Sequence, residues 1–214
     1  RSNNGLNASL MYNLTINQTD CKFNECIKIS RLGYINVTDS PVLRPNDTIT
    51  IEFWAKTYDT LAQDAYISRK LANSNWVTYE VNAQAGPVIR WQVQNGTTSL
   101  AYVQSVPFSI NDWHHFTTTY KTQNFDASDF AIYMDGVKQG ATLAAGSHPG
   151  FRLTYNTTKT DNTVLIGAPN YDNVHSAARV NATLDEVAIW NISLSADKIA
   201  EHAGAKIIDY SQYG

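Results

Sequence analysis

A chain of 214 residues is long enough for one well-packed core that buries roughly 70 to 75% of its unfolded surface, so a single domain is expected. A formal net charge of −3, with 16% charged residues, leaves no basic stripe and argues against a nucleic-acid partner. No run approaches the roughly 18 to 20 consecutive apolar residues that span a bilayer, and no apolar leader precedes Arg1, so the chain reads as mature, soluble and without a membrane span.

The N-terminal segment, residues 1–20, alternates with a period of two. Leu6, Ala8, Leu10, Tyr12, Leu14 and Ile16 fall on one face, and Asn7, Ser9, Met11, Asn13, Thr15 and Asn17 on the other. This pattern predicts one long half-buried strand, which either opens the protein's own sheet or adds to the free edge of another copy. Cys21 and Cys26 follow, the only cysteines. With no further Cys or nearby His they cannot complete a tetrahedral zinc site, so a small disulfide loop in an oxidising compartment is expected.

Alternation recurs over 49–55, 76–82, 88–94, 130–134 and 187–190, predicting half-buried antiparallel strands. Turn signals separate them: Pro41 and Pro45 before Ile49, Ala85-Gly86-Pro87 before Val88, Asn95-Gly96 after the Trp91 strand, and Asp135-Gly136 after Tyr133. Residues 141–163 are polar and Gly-containing and read as a long loop. One helix is predicted, with Ser195 as N-cap and Gly204 as its stop.

Asn-x-Ser/Thr triplets begin at Asn7, Asn13, Asn17, Asn36, Asn46, Asn95, Asn156, Asn181 and Asn191, none with Pro in the middle. Chance, given the Asn, Ser and Thr content, predicts roughly three to four. The excess points to N-glycosylation, and with the cysteine pair to a secreted or cell-surface protein; an Asn- and Thr-rich composition is the bland alternative.

Several pieces occur in a recognisable order: Gly33-Tyr34-Ile35, the Thr48–Lys56 strand with Phe53-Trp54, Ile67-Ser68-Arg69, Trp113-His114-His115-Phe116, Ile132-Tyr133-Met134-Asp135-Gly136, Ile166-Gly167, and the closing stretch 182–199 with Leu184-Asp185-Glu186-Val187. Together, from about residue 6 to 203, they resemble the laminin-G-like, concanavalin A-like jelly rolls. The resemblance implies an all-β fold, a two-sheet antiparallel jelly-roll sandwich with one short C-terminal helix, and a module that binds and does not react. Two positions depart from the pattern: Ala182 stands where Gly is usual, and Ile192 where Arg is usual, which makes Asn191 an acceptor.

Some members of such folds are glycosidases, which need two carboxyl groups about 5 to 5.5 Å apart for retaining catalysis. Here Glu52 and Glu80 are isolated, and Asp185 and Glu186 are neighbours with opposite directions, so no catalytic residue is assigned. His114 and His115 likewise point oppositely and cannot jointly chelate. Trp91 shares a face with Ile89 and Val93 and is expected in the core. Trp76 shares its face with Thr78, Glu80 and Asn82, the mixture of aromatic and hydrogen-bonding groups that sugar-binding surfaces use, with Trp54 as a second candidate. A rim Trp packed under a loop is the alternative.

Asp185 alternates with Val187 and Ile189, which aims its carboxylate inward, where it needs a partner. Either backbone N–H groups or a cationic side chain supply it, or a structural calcium, which the resemblance places near an Asp of the last strand. Asp126-Ala127-Ser128-Asp129 reads as a solvated turn, with a calcium loop as alternative. No cofactor is required. The expected function is a secreted, N-glycosylated, non-catalytic recognition or adhesion module for a glycan or extracellular protein. The alternatives are a subunit of an extracellular filament or lattice assembled by N-terminal strand addition and, third, a glycoside hydrolase.

Overall fold

The computed structural model describes residues 6–12, 14–61, 63–70, 77–95, 99–122, 127–140, 153, 155, 163–169 and 179–204. Fourteen strands run through them: β1 (Ala8–Met11), β2 (Leu14–Asn17), β3 (Cys26–Ile29), β4 (Tyr34–Val37), β5 (Thr48–Asp59), β6 (Asp64–Lys70), β7 (Val77–Gln84), β8 (Val88–Asn95), β9 (Ser99–Gln104), β10 (Trp113–Lys121), β11 (Phe130–Met134), β12 (Val137–Lys138), β13 (Val164–Ile166) and β14 (Asn181–Trp190). One helix, α1 (Ala196–Gly204), follows. Its first turn is capped as expected, with the Lys198 amide donating to Ser195 Oγ.

The strands form two seven-stranded antiparallel sheets. Sheet A has the order β1-β4-β13-β6-β7-β8-β9, and sheet B the order β12-β11-β10-β5-β14-β3-β2. This is the jelly-roll sandwich that the motif order predicts.

The period-two pattern places one face of each sheet in the core. From sheet B come Ile49, Ile51, Phe53 and Phe116; from sheet A come Tyr79, Val81, Ile89, Trp91 and Val93, all fully buried. Each such aromatic or branched side chain contributes about 1.5 to 3 kcal/mol through burial. Polar atoms link the sheets as well: Trp91 Nε1 donates to the Thr119 carbonyl at 2.9 Å, and the Thr57 and Tyr66 hydroxyls lie 2.6 Å apart. Gly167 has φ +92, and a Cβ there would stand 2.8 Å from Ile29 Cδ1, so only glycine closes this corner.

Two expectations change. Residues 6–16 do not form one strand. Tyr12 adopts φ 54 and redirects the chain, so β1 pairs with β4 in sheet A while β2 pairs with β3 in sheet B. The same short segment therefore supplies an edge strand to each sheet, and Leu10, Tyr12 and Ile16 of the presumed core face are exposed. Alternation could not report a left-handed residue in mid-pattern.

The second change concerns Asp185. A bulge breaks the β14–β5 register between Asp185 and Ala188, with Glu186 at φ 48. Asp185 lies opposite Trp54 and Ala188 opposite Glu52, so Asp185 shares the outer face with Ala188 and Trp190, not the core face of Val187 and Ile189. Of the expected 141–163 loop, only Leu153, Tyr155 and Thr163 fall within the described residues.

Candidate functional site

Because Tyr79, Val81 and Ala83 point into the core, Thr78, Glu80, Asn82 and Gln84 stand on the outer face of sheet A. Cross-strand register extends them into a row. Ser68 and Gln92 flank Glu80, Arg90 lies beside Asn82, Gln104 beside Arg90, and Tyr102 beside Gln92. Asn82 Nδ2 donates to Glu80 Oε1 at 2.6 Å, and Gln84 Nε2 donates to Asn82 Oδ1. Thr78, Glu80, Asn82 and Gln92 are buried, while Gln84, Arg90, Tyr102 and Gln104 are half-buried. The Arg90 guanidinium lies over the Tyr102 ring at 4.4 Å, a cation–π pair at the more open end of the row.

Glu80 and Asn82 are thus adjacent, as the pattern predicted. Trp76 lies outside the described residues. Trp54 belongs to the other sheet and is 4% exposed, so it does not join this row. Sequence reasoning passed over Arg90 and Tyr102, although the alternation around Trp91 and Val103 already placed both on the outer face. Among the described residues of this face Glu80 is the one carboxylate.

The outer face of sheet B is closed instead. Its centre is Glu52, fully buried, which accepts a hydrogen bond from Trp190 Nε1 at 2.8 Å and lies 2.9 Å from His202 Nδ1. His115 Nε2 stands 3.8 Å away. Helix α1 covers this cluster with Ile199 and His202. Next to it the Cys21–Cys26 disulfide, formed as expected, holds a loop whose Phe23 packs edge-on against Trp54 and whose Lys22 ammonium sits 3.9 Å over the same ring. Asp185 ties this loop down: its Oδ2 accepts the Phe23 amide at 2.8 Å and its Oδ1 the Glu186 amide at 3.0 Å. Burial pushes its carboxyl above the ordinary value despite these bonds and a further one from Lys22. Both oxygens face N–H donors, an arrangement suited to an anion held by backbone and unlike a calcium ligand shell, which needs oxygens turned to the ion. No group of three metal-ligating side chains occurs among the described residues. Asp129 closes a 3-10 turn, Ala127–Asp129.

At the rim, His114 Nδ1 lies 2.8 Å from Asp135 Oδ2, and His114 Nε2 lies 2.9 Å from Ser109 Oγ. The connectivity matches that of a nucleophilic triad. Asp135, however, occupies a hairpin turn with Gly136, at φ 53 and 78, and its Oδ1 accepts the His115 amide. The chain of bonds pins the segment before β10 to the β11–β12 hairpin.

The glycan acceptors divide by environment. Asn7, Asn46 and Asn191 are exposed; Asn17, Asn36 and Asn181 are half-buried, with Asn181 Nδ2 donating to Asp59 at 2.9 Å. Asn46 and Asn191 line one polar groove of about 320 Å³ with Arg44 and Asp47. Asn95 ends β8, its side chain outside the described set, and Asn13 and Asn156 lie outside the described residues.

A profile of the Concanavalin A-like lectin/glucanases superfamily, Laminin_G_3, matches residues 31–200. The chain belongs to this superfamily. A search of curated protein sequences returns no match. Among solved structures, the botulinum neurotoxin serotype G binding domain is similar at TM-score 0.68 and 15% identity, over 94% of this chain and 47% of that one. A structure of botulinum neurotoxin type C, whose cell entry is described as dependent upon interaction with two ganglioside molecules, is similar at TM-score 0.66 and 14% identity, over 95% and 47%. The native heptameric SAP-like pentraxin of Limulus polyphemus matches at TM-score 0.52 and 13% identity, over 75% and 71%. The chain spans about half the length of the neurotoxin chains it matches, and at these identities the likeness carries the fold alone. No described helix is long and apolar enough to cross a membrane.

Proposed function

We propose that this superfamily member is a secreted or cell-surface, N-glycosylated, non-catalytic recognition module that binds a glycan or an extracellular protein through the outer face of sheet A. The observation that carries the reading is the row of hydroxyl, amide and guanidinium groups from Ser68 to Gln104, ending in the half-buried Arg90–Tyr102 pair. Aromatic faces flanked by amides suit sugar rings, which present apolar C–H faces and hydroxyl edges together. Interaction of the type C neurotoxin with gangliosides makes a glycan ligand a natural first choice for testing. A glycan array is the test: Tyr102→Ala should weaken the bound signal about tenfold through loss of ring contact, roughly 1 to 3 kcal/mol, with melting unchanged within a few degrees. Wild-type protein silent on the array and on an extracellular protein panel would remove the reading. Common polysaccharides should remain uncleaved.

Glycosylation is expected first at the exposed Asn7, Asn46 and Asn191, with lower occupancy at Asn36 and Asn181, where burial and the Asp59 bond compete with the enzyme. Mass spectrometry after glycan release reads the order directly; full occupancy of Asn36 with a bare Asn46 would contradict it.

A second reading, a filament or lattice subunit, draws on residues 6–17 supplying an edge strand to both sheets with Leu10, Tyr12 and Ile16 exposed. Intact protein that sediments as a monomer at every concentration tested would exclude it.

A further inference from the structure

We propose that the chain's own N-glycans, at Asn7 and Asn17 with Asn13 between them in sequence, cover the free edges of β1 and β2 and keep a second copy from adding to either sheet. The proposal rests on the glycosylation reading and gives those sugars a structural task.

Four strands end the two sheets: β1 and β9 in sheet A, β12 and β2 in sheet B. An edge strand offers a row of unpaired backbone N–H and C=O groups to any other strand, and proteins blunt such edges by shortness, charge, proline or a bulge. The β12 edge uses the first two, being the pair Val137–Lys138 with its lysine. Neither β1 nor β2 is protected by charge, proline or bulge. No charged residue and no proline occurs from Ser2 to Thr19, and the β1–β4 and β2–β3 registers run without a shift. Among the described residues no strand pairs with the outer side of β1 or β2. Their side chains are open as well, with Leu10 51% and Ile16 59% exposed. An uncharged, proline-free segment alternating Leu, Tyr and Ile has the composition that pairs with its own copy.

What these edges carry instead is acceptor asparagines. Asn7 immediately precedes β1 and is exposed, and Asn17 ends β2 and is half-buried; Asn13 lies outside the described residues. Three of the nine triplets thus begin within residues 7–17, where an even spread over 214 residues would put fewer than one. The remaining uncharged edge repeats the arrangement: β9 has no charged residue, and Asn95 stands opposite Ser99, its first residue. The charged β12 has no acceptor beside it in sequence, none occurring between Asn95 and Asn156. Strand pairing needs backbones about 4.8 Å apart. A branched oligosaccharide anchored beside the edge occupies that gap and stays hydrated there, so the edge is closed to protein without a charged side chain.

The test uses the glycosylated full chain and sedimentation velocity over a concentration series, with mass spectrometry reporting the sugars. Wild type should sediment as a monomer. Asn7→Gln, Asn13→Gln and Asn17→Gln together should give species of twice the mass and more that grow with concentration, with melting unchanged within a few degrees. Asn46→Gln with Asn191→Gln, which strips the polar groove instead, should stay monomeric. Adding Leu10→Lys and Ile16→Lys to the triple variant should restore the monomer, because charge then replaces the sugar. Should the triple variant not fold, folded wild type trimmed by an endoglycosidase to one sugar per site should associate in the same way, and the two lysines should again prevent it. A triple variant or trimmed protein that stays monomeric at every concentration would overturn the proposal. Equal association of the Asn46, Asn191 variant would overturn it too, as would association that the two lysines leave intact. Wild type that associates while carrying these sugars would overturn it in favour of the filament reading. Bare asparagines at all nine sites would remove the glycosylation reading and this proposal together, whereas sugars at Asn7 and Asn17 with a monomeric triple variant would remove this proposal alone.

Discussion

The two outer faces of the sandwich are built from the same alternation and end differently. On sheet B the charged groups are answered by the chain itself: Glu52 by Trp190 and His202, Asp185 by the amides of Phe23 and Glu186. Among the described polar atoms of that face, Trp54 Nε1 is the buried one left without a hydrogen bond. On sheet A the corresponding atoms are Asn36 Oδ1, Arg90 Nε and two nitrogens of Arg179. A closed face stabilises the fold, whereas the row from Ser68 to Gln104 on sheet A is the one on which the recognition reading rests.

The sharpest way to break this comparison is Glu52→Ala. It leaves the half-buried Trp190 indole N–H and the buried His202 ring without their partner beneath helix α1, and the loss should be about 3 to 5 kcal/mol, read as a lower urea midpoint. Substitution of Tyr102 on sheet A should move that midpoint by less than about 0.5 kcal/mol. Equal losses on both faces would erase the distinction. Next in size is removal of the disulfide. Cys21→Ala with Cys26→Ala frees a short loop, for which chain entropy predicts about 2 kcal/mol, and loosens the Phe23 and Lys22 cover over Trp54. Trp fluorescence should shift to longer wavelength before global unfolding. If midpoint and emission both stay at wild-type values, the loop is not what closes this face.

Much of this was legible from alternation alone. Ile89, Trp91 and Val93 are fully buried where the period placed them, Asp135-Gly136 turns the predicted hairpin, and Ser195 caps the predicted helix. What escaped the pattern sits at single residues with left-handed backbone. Tyr12 splits one apparent strand between two sheets, and Glu186 carries the bulge that moves Asp185 to the other face. Period-two reasoning assumes that every residue adds one half-turn of the pleat, and neither residue type announces an exception as Gly would. The candidate site was half legible for a related reason. Glu80 and Asn82 lie on one strand, whereas Arg90 and Tyr102 join them only through register, which is not a local property.

The smallest effects lie in two adjacent histidines on β10, and they separate the buried face from the rim by pH. His115, on the sheet B face, is held by burial at a pKa of about 4, against 6.5 in the unfolded chain. As pH falls from 6.5 toward 4 the unfolded chain takes up a proton that the native chain refuses, so stability declines. His114, at the rim, is raised, first by its bond to Asp135, while Asp135 is lowered by its bonds to His114 and the His115 amide, which outweigh the opposing burial. The raised histidine stabilises fully below 6.5 and loses its contribution as pH rises through its folded value. The lowered aspartate stabilises fully above 3.8 and loses its contribution as pH falls through its own. Their joint contribution is therefore greatest between those two pH values. Since Asp135 is 46% exposed at its side chain, solvent screening holds this below about 1 kcal/mol. Urea unfolding at pH 5 and pH 8 distinguishes the two. His115→Gln should flatten the acid decline, and Asp135→Asn should lower stability more at pH 5 than at pH 8. An Asp135→Asn deficit that grows with pH would reverse the assigned sign and detach the hairpin from the histidine.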